Sequence, residues 1–255
     1  MRIAVAGKGG AGKTTTAATL ALLAARSGRD VICIDADSNP NLAVALGVEG
    51  PDGAPVLPVA LVSRRLDGGP ALTVPVDEVL ASHTVAGPDG IRLTSMGRPG
   101  HAEEGCMCSA HGVVRAALAD LGAPERVVVL DLEASPEHFS RGTARHVDVL
   151  LLVAEPYFRS LETVRRMAQL AGELPIGRVG VLATKIRDEQ DRLVIDEFCA
   201  RHDLELLGRV PFDTAVLDAD RDRTPLVSAA PSSEVVAAYR ALLDEVLTHR
   251  GDVTT

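Results

Sequence analysis

The sequence predicts an α/β protein, a doubly wound and mostly parallel sheet with helices on both faces, and two observations support this fold class. Short runs of Val, Ile, Leu and Ala alternate along the chain with longer segments of helical periodicity. Continuous apolar runs of this length are typical of strands covered on both faces, and the alternation favours a parallel sheet. The first apolar run is also followed by a glycine-rich turn and then by a helical segment, an order found where folds bind phosphate.

The individual elements follow from these patterns in chain order. Seven short apolar runs are predicted to be strands: Arg2–Ala6, Asp30–Ile34, Ile91–Ser95, Arg126–Leu130, Val149–Val153, Val179–Ala183 and Glu205–Val210. Segments with apolar residues three and four apart are predicted to be helices. They are Thr14–Ser27, Ser109–Leu121, Ser160–Leu174, Asp188–His202 and Ser233–His249.

The 255 residues are predicted to form one domain, 1–255, because a chain of this length can bury a full core. The stretch 49–105 differs from the rest, since it is rich in Gly and Pro and holds only short helical patches. We interpret it as an elaborated connection that leads to the Cys-Met-Cys segment and forms a contact face. A loose surface insertion is the alternative.

Composition and charge exclude several classes of partner. Aromatic residues make up only 2% of the chain, so the core must be aliphatic and a base-stacking surface is not expected. The net charge is −9, which repels phosphate backbones, and no nucleic-acid partner is predicted. The chain shows neither a signal-peptide pattern nor a long apolar segment, so we expect a cytoplasmic protein without a membrane partner.

The glycine-rich turn after the first predicted strand has the pattern of a phosphate-binding loop. Glycines let the backbone curl so that its N–H groups converge on phosphate oxygens, and the helix start adds partial positive charge. Lys13 is predicted to reach the β- and γ-phosphates of a nucleotide, and the hydroxyl of Thr14 is predicted to ligate Mg²⁺. The predicted nucleotide-binding residues of this loop are Gly7, Lys8, Gly9, Gly10, Ala11, Gly12, Lys13, Thr14 and Thr15.

Lysine is rare in this chain and is therefore informative. The 26 basic residues include only three lysines, which are Lys8, Lys13 and Lys185. Because arginine supplies positive charge everywhere else, a compact ammonium group is expected to be specifically needed where lysine occurs. Two of the three lysines fall within the phosphate loop.

Carboxylates follow two further predicted strands. Asp35 and Asp37 come after the second strand, and Asp131 ends the run Val127–Leu130. Carboxylates at strand ends beside a phosphate loop suit Mg²⁺ and the positioning of water. Asp37 and Asp131 are therefore predicted to hold Mg²⁺ together with the Thr14 hydroxyl, and an Asx-rich turn that caps the next helix is the alternative for Asp37.

Two of the four cysteines form a Cys-x-Cys segment, Cys106 and Cys108, just before a predicted helix. In an extended segment both thiols point to the same side, and two thiolates are half of a tetrahedral S₄ metal site. A two-fold dimer would supply the other half, and two incidental thiols are the alternative. His111 is expected to be an exposed residue of the first helical turn, with a third metal ligand as the alternative. Cys33 and Cys199 are predicted to be buried small hydrophobes.

These motifs together resemble the deviant Walker A ATPases, a group that includes MinD, ParA, NifH, ArsA and CooC. The resemblance implies ATP and Mg²⁺ as cofactors and ATP hydrolysis as the activity, with Lys13 and Asp131 in catalytic roles. It also implies that Lys8 acts catalytically by reaching the partner's nucleotide across a homodimer, and that catalytic Asp37 orients the attacking water.

The same resemblance assigns the base-binding residues. Thr184 and Lys185 follow a predicted strand at the place where the family usually has an Asn-basic pair that reads the base. Pro211, Phe212 and Asp213 match the opposite wall of the base pocket. Thr184 departs from the usual Asn and lacks its bidentate amide, so the preference for adenine comes from the family resemblance.

A more specific resemblance is to the CooC-type nickel-insertion ATPases, which mature carbon monoxide dehydrogenase. Matching segments beyond the phosphate loop include Asp35–Gly47, Gly105–Cys108, Glu137-His138, Arg141–Ala144 and Val153–Pro156. This resemblance implies that Cys106 and Cys108 of two subunits hold one Ni²⁺ or Zn²⁺ between them. It also implies a client metalloenzyme, such as carbon monoxide dehydrogenase. Ser38 and Ser135 stand where relatives often have Pro and Gly.

Two other kinds of protein in the same group remain as alternatives. A MinD- or ParA-like positioning ATPase needs a basic terminal helix or a DNA-binding face, whereas the predicted helix Ser233–His249 is not basic. A NifH-like iron–sulfur reductase needs a cluster-binding cysteine in the second switch, whereas no cysteine lies between Asp131 and Thr143.

Overall fold

An eight-stranded sheet forms the centre of the computed structural model, which describes residues 1–48, 53–64, 69–97, 108–134 and 142–248. The spatial order of the strands is β10-β9-β8-β1-β7-β2-β6-β5, and every pairing in this sheet is parallel except that of β5 with β6. The bounds of these strands are β1 Arg2–Gly7, β2 Asp30–Ala36, β5 Val85–Ala86, β6 Arg92–Ser95, β7 Arg126–Leu132, β8 Val149–Ala154, β9 Arg178–Ile186 and β10 Leu206–Pro211. Two more strands, β3 Val62–Arg64 and β4 Pro70–Leu72, pair with each other in an antiparallel ribbon.

Helices cover both faces of this sheet. Their bounds are α1 Lys13–Arg26, α2 Leu42–Leu46, α3 Val76–Ser82, α4 Cys108–Asp120, α5 Phe158–Ala171, α6 Glu189–Arg201, α7 Thr214–Arg221, α8 Leu226–Ala229 and α9 Glu234–Thr248. One buried cluster joins α1 and α9 to one face of the sheet, and a second joins α4, α5 and α6 to the other face. The predicted doubly wound α/β fold is therefore confirmed.

The central strands are apolar because both of their faces are covered. All six residues of β8 are buried, and so is every residue of β1 after Arg2. Strands covered on both faces consist of continuous Val, Ile and Leu runs and lack the apolar-polar alternation of half-buried strands. This pattern is why the strands could be predicted from the sequence. Helix α1 is buried along most of its length, since it packs against the sheet and also contacts α2 and α9.

The predicted elements match the observed ones closely. All seven predicted strands and all five predicted helices are present, and their bounds differ by up to three residues at the ends. The prediction lacked α2, α3, α7, α8 and the short strands β3, β4 and β5. These are brief elements, and α7, for example, has only eight residues and about two turns in which to show a periodic pattern.

The described parts of the Gly/Pro-rich stretch pack against α4. The ribbon of β3 and β4 contacts this helix, as does the 3-10 turn Val59–Leu61. Strand β6 adds to the main sheet beside β2, so this stretch belongs structurally to the sheet as well as to the α4 side of the molecule. Among the helices of the described ranges, none has the length and apolar character that a bilayer crossing requires.

Candidate functional site

The phosphate loop lies between β1 and α1, at the carboxyl end of the central strand. Strand β1 ends at Gly7, α1 begins at Lys13, and the loop closes with a hydrogen bond from the Ala11 N–H to the Lys8 carbonyl at 3.1 Å. Gly12 has a φ of +96° and precedes the helix, a conformation that glycine adopts readily. Four of the five residues in this loop thus carry either no side chain or a single methyl group, which leaves backbone N–H groups open to an anion.

Gly7 is required for the close approach of this loop to β8. Its φ is +149°, and a Cβ there would lie 2.4 Å from the carbonyl oxygen of Val153. Gly7→Ala is therefore expected to displace the loop, with about 1–3 kcal/mol of strain and a loss of nucleotide affinity of roughly tenfold or more. Thermal unfolding followed by circular dichroism, and titration with a fluorescent ATP analogue, measure the two effects.

A second glycine supplies the control for this substitution. Gly112 lies inside α4, and a Cβ there would meet no atom within 4 Å. Gly112→Ala is expected to stabilise the protein by about 0.5–1 kcal/mol, because alanine favours the helical conformation. A Gly7→Ala protein with the wild-type melting temperature and nucleotide affinity would contradict the proposed role of Gly7.

Asp131 lies opposite the loop at the end of β7, where it is 1% exposed. The Thr14 hydroxyl donates a hydrogen bond of 2.7 Å to its Oδ2. Burial raises the pKa of Asp131 to about 7, and the nearby carboxylate of Asp35 raises it as well, whereas the Thr14 hydroxyl and the charge of Lys13 lower it. The structure therefore brings together three residues that the sequence had assigned to the phosphate and Mg²⁺ site.

The residues around Asp131 fit a magnesium ion. Its Oδ1 is buried and has no hydrogen-bond partner within the part of the chain that the structure describes. A buried carboxylate oxygen without a donor is costly, and a cation would relieve this cost. Mg²⁺ prefers carboxylate and hydroxyl oxygens, takes few of them from the protein and completes its shell with phosphate and water. Asp131 and Thr14 are suitably placed to hold it.

Asp35 is a part of this site that the sequence analysis did not assign. It pairs with Asp131 across β2 and β7 and is also 1% exposed, and burial raises its pKa to about 6. Its two carboxylate oxygens accept hydrogen bonds from the backbone N–H groups of Asp37 at 3.2 Å and Leu42 at 2.9 Å. Asp35 thus shapes the loop that carries Asp37, while Asp37 itself is partly exposed and accepts a hydrogen bond from the Asn39 N–H.

The side chains of Thr184 and Lys185 donate hydrogen bonds to backbone carbonyl groups of the phosphate loop. The Thr184 hydroxyl donates to the Ala11 carbonyl at 2.8 Å, and the Lys185 ammonium donates to the Gly10 carbonyl at 2.7 Å and to Glu155 Oε1 at 2.8 Å. Lys185 has a φ of +60°, which is uncommon for a residue with a side chain and costs on the order of 1–3 kcal/mol. These contacts fix the carbonyls of the loop, so that its N–H groups can face a ligand.

Glu155 was not among the predicted site residues. It follows β8, is 8% exposed and accepts a second hydrogen bond of 2.6 Å from the Tyr157 hydroxyl. Its signal in the sequence is an acidic residue at the end of an apolar strand beside the loop, the same signal that led to Asp131. Through Lys185 it joins β8, β9 and the phosphate loop.

A cavity of about 320 Å³ extends from the phosphate loop to the other predicted base-binding residues. Thr184 and Lys185 line it, and so do Pro211, Phe212 and Asp213. The guanidinium carbon of Arg187 lies 4.4 Å from the centroid of the Phe212 ring, and the Asp213 carboxylate caps α7 by accepting from the Ala215 N–H. The cavity is apolar for much of its wall and is suited to a flat aromatic base next to the phosphates.

The Lys8 side chain lies over an aromatic ring. Its ammonium group lies 5.7 Å from the centroid of the Tyr157 ring, a cation–π distance, whereas Lys13 is 7% exposed inside the loop. Tyr157 is 41% exposed and the adjacent Phe158 is 76% exposed. Lys8 therefore lies on an open face of the molecule that also presents two of its few aromatic rings.

Cys108 is the exposed first residue of α4, and Cys106 lies outside the described residues. A cavity of about 530 Å³ next to Cys108 is lined by α4 and by the ribbon of β3 and β4. Cys33 and Cys199 are buried, as predicted.

His111 differs from its prediction. It was expected to be exposed in the first turn of the helix, but it is 5% exposed, and its Nδ1 lies 3.0 Å from the hydroxyl oxygen of Thr143. The reason is the packing of the 3-10 turn Thr143–His146 against α4, a contact between segments far apart in the sequence. The family resemblance makes the segment after Asp131, Leu132–Thr143, the second switch of the nucleotide site, and residues 135–141 of this segment lie outside the described residues.

A strand, a glycine loop and a helix that begins with Lys13 and Thr14, all facing a buried Asp131, define a P-loop nucleotide-binding protein. The chain belongs to the CobQ/CobB/MinD/ParA nucleotide-binding family, whose domain model, CbiA, matches residues 3–226. It is accordingly a P-loop ATPase.

Relatives of known sequence and structure agree with this assignment. An ATP-binding protein of Methanocaldococcus jannaschii is 36% identical over 234 residues, which cover 86% of this chain and 88% of the relative. The carbon monoxide dehydrogenase accessory protein CooC of Rhodospirillum rubrum is 34% identical over 263 residues, which cover 96% of this chain and 97% of CooC. The similarity to CooC confirms the resemblance that the motifs indicated.

A solved structure shows the same fold. The septum site-determining protein MinD of Pyrococcus horikoshii, complexed with Mg-ADP, is similar with a TM-score of 0.72 and 20% sequence identity. The match covers 96% of this chain and 95% of that chain. At this level of identity the likeness concerns the fold.

Proposed function

We propose that this protein is an ATP-hydrolysing, homodimeric metallochaperone that binds Ni²⁺ or Zn²⁺ between two subunits through Cys106 and Cys108. Its client would be a nickel enzyme such as carbon monoxide dehydrogenase. The observation that carries the proposal is the position of Cys108, exposed at the start of α4 in a chain that is 34% identical to CooC over 96% of its length.

The chemistry of the Cys-x-Cys segment suits a shared metal. The partial positive charge at a helix start stabilises a thiolate over a thiol, and the thiolate is the form that binds Ni²⁺ and Zn²⁺. Within the described ranges, no group of three or more His, Cys, Asp or Glu side chains could hold a metal ion. In the proposed site each of two symmetric subunits contributes half of the ligands.

The nucleotide chemistry uses the residues around the phosphate loop. Lys13 neutralises charge on the β- and γ-phosphates, and Thr14 and Asp131 are the residues that would hold Mg²⁺. A Mg²⁺ ion held by these two residues would supply positive charge to offset the charge that develops on the phosphate oxygens. Asp37 orients the attacking water, and Lys8 completes the site of the partner subunit when the dimer closes.

In this proposal ATP and metal act on the same dimer. ATP closes the two subunits through Lys8, the closed dimer places both Cys-x-Cys segments around one ion, and hydrolysis loosens this arrangement so that the metal can leave. Binding energy from the nucleotide is thereby used to hold and then release the metal.

Metal stoichiometry tests the proposal. With a reducing agent and without oxygen, the wild type is expected to bind one Ni²⁺ or Zn²⁺ per two chains in the presence of a slowly hydrolysed ATP analogue. The double variant Cys106→Ser/Cys108→Ser is expected to lose this binding by about 100-fold or more, because hydroxyls are poor ligands for these ions. Equilibrium dialysis with elemental analysis gives the metal content, and light scattering gives the oligomeric state.

A buried cysteine provides the matched control. Cys199 is 4% exposed in α6, and Cys199→Ser is expected to leave metal content unchanged. The proposal would be contradicted if the double variant bound as much metal as the wild type, or if the metal bound to single chains and not to a dimer. The protein would then be an ATP-dependent dimer switch without a metal cargo.

A further inference from the structure

The end of the second switch is connected to the cysteine-bearing helix by a buried hydrogen bond. Nδ1 of His111 on α4 and the hydroxyl oxygen of Thr143 lie 3.0 Å apart, and these residues are 5% and 0% exposed. A hydrogen bond buried this deeply is lost only at the cost of leaving two polar groups unsatisfied, about 1–3 kcal/mol for each group. The two segments therefore hold a defined relative position.

The helix presents a row of residues toward this contact. Cys108, His111 and Arg115 are three and four residues apart and so lie on one side of α4. A Cβ on Gly142, the residue before Thr143, would lie 3.4 Å from the guanidinium of Arg115. Gly142 and Thr143 at the end of the switch thus lie beside two successive turns of the helix that begins with Cys108.

The apolar packing reinforces the same contact. Ala144 and Val147 are buried in the same cluster as Val113, Val114 and Ala117 of α4. The 3-10 turn Thr143–His146 is consequently attached to the helix by side-chain packing as well as by the hydrogen bond. A displacement of residue 143 would have to move the helix or break the contact, because closely packed interfaces deform little.

The start of the same segment lies at the phosphate loop. Asp131 is in contact with Thr14, and a Cβ on Gly9 would lie 3.9 Å from the Cβ of Ala134. The chain that leaves the nucleotide site at Ala134 reaches α4 at Gly142, only eight residues later. The two ends of this stretch are therefore anchored at the two sites that the proposed function must couple.

We propose that His111 is a positioning residue that couples the nucleotide site to Cys108 through its hydrogen bond with Thr143. This inference rests on the proposed function and names the contact through which its two sites communicate. Nucleotide at the phosphate loop biases the position of residues 142–143, and His111 transfers this bias to the start of α4. The contact contributes to coupling, while neither residue touches nucleotide or metal.

Four single variants test the coupling. Thr143→Val removes the hydroxyl at nearly constant volume, and His111→Phe removes the ring nitrogens but keeps a ring. Thr143→Ser and His111→Asn retain a hydrogen-bonding atom at the contact and serve as conservative rescues. Thermal unfolding selects the variants that fold, and the conservative pair keeps the test valid if one of the disruptive variants does not fold.

The readout is the ratio of Zn²⁺ affinities with and without a slowly hydrolysed ATP analogue plus Mg²⁺, in reduced full-length protein. Couplings between sites are typically 5- to 150-fold, and we expect a wild-type ratio of about tenfold or more. In Thr143→Val and His111→Phe the ratio is expected to approach one, with the nucleotide affinity itself changed by less than about threefold. Thr143→Ser and His111→Asn are expected to restore most of the wild-type ratio.

A second readout needs no metal. The alkylation rate of Cys108 in the reduced protein, followed by mass spectrometry, is expected to change when the ATP analogue binds to the wild type. The change should disappear in Thr143→Val. A nucleotide-dependent rate without any thiol-dependent metal binding would reject the metallochaperone proposal and keep this inference. An undiminished nucleotide effect in folded Thr143→Val and His111→Phe proteins would reject the inference alone.

Discussion

Asp131→Asn is expected to abolish ATP hydrolysis and, at the same time, to raise the melting temperature of the nucleotide-free protein. Hydrolysis should fall by about 100-fold or more, because the amide cannot replace a carboxylate as a charged ligand for Mg²⁺. Stability should rise because the wild type keeps an ionisable group 1% exposed, with one oxygen that has no partner in the described part of the chain. Each kcal/mol moves the melting temperature by roughly 2–4 °C in a chain of this size.

The stability gain is expected to depend on pH. Burial raises the pKa of Asp131 in the folded protein to about 7, above the ordinary value of 3.8. The folded state therefore binds this proton more tightly than the unfolded state, and the wild type loses stability as pH rises from about 4 to about 7. The variant has no such group, so the difference in melting temperature should grow across this window. Differential scanning calorimetry at a series of pH values measures it.

Asp30, at the start of β2, provides a control because its pKa is shifted in the direction opposite to that of Asp131. Burial acts to raise its pKa, but hydrogen bonds from Arg126 and Arg92 outweigh burial and hold the pKa below its ordinary value. Asp30→Asn should thus lower stability at neutral pH, with the difference lost as pH falls below about 4, and leave hydrolysis unchanged. Equal hydrolysis by the Asp131→Asn protein and the wild type would show that Asp131 does not hold the catalytic ion.

The second large effect is expected for Lys8→Ala, which should separate nucleotide binding from hydrolysis. The ammonium group of Lys8 lies over the Tyr157 ring on an open face, so its removal should change the nucleotide affinity of the single chain by less than about threefold. If Lys8 serves the partner's nucleotide, hydrolysis should fall by roughly 10³-fold or more, the range for a cation supplied in trans. ATP-dependent dimerisation should also be lost.

Lys13→Ala is the comparison variant, because it should weaken nucleotide binding whereas Lys8→Ala should not. Lys13 is buried at the start of α1, within the phosphate loop, and its loss should weaken nucleotide binding itself. Mixing Lys8→Ala protein with Asp131→Asn protein offers a further check, because a mixed dimer retains one intact composite site. Hydrolysis regained in this mixture would support action across the interface. Weak nucleotide binding by the Lys8→Ala monomer would contradict it.

The sequence was sufficient for the fold because the fold depends on local patterns. Strands covered on both faces appear as apolar runs, and α1, α4, α5, α6 and α9 are long enough to show a helical period. The phosphate loop was equally clear, since its glycines, Lys13 and Thr14 act within one short segment. Asp131 could be assigned because it follows an apolar run, and the structure shows that this strand pairs with β1.

The features that the sequence did not reveal depend on contacts between distant segments. His111 is buried by a turn that begins 32 residues later, and nothing near His111 in the chain indicates this. The roles of Asp35 and Asp37 differ because Asp35 lies within β2 and is buried, while Asp37 follows the strand and is partly exposed. Likewise, the hydroxyl of Thr184 contacts the Ala11 carbonyl, 173 residues away, and this contact has no local signature.

The three lysines of the chain meet at one place, which has a consequence for its covalent chemistry. Lys8 and Lys13 belong to the phosphate loop, and Lys185 donates a hydrogen bond to the Gly10 carbonyl of that loop. Acylating reagents that select primary amines would consequently act on this protein as site-directed inactivators, and acetylation of a single lysine would change the charge of the nucleotide site without touching the rest of the surface.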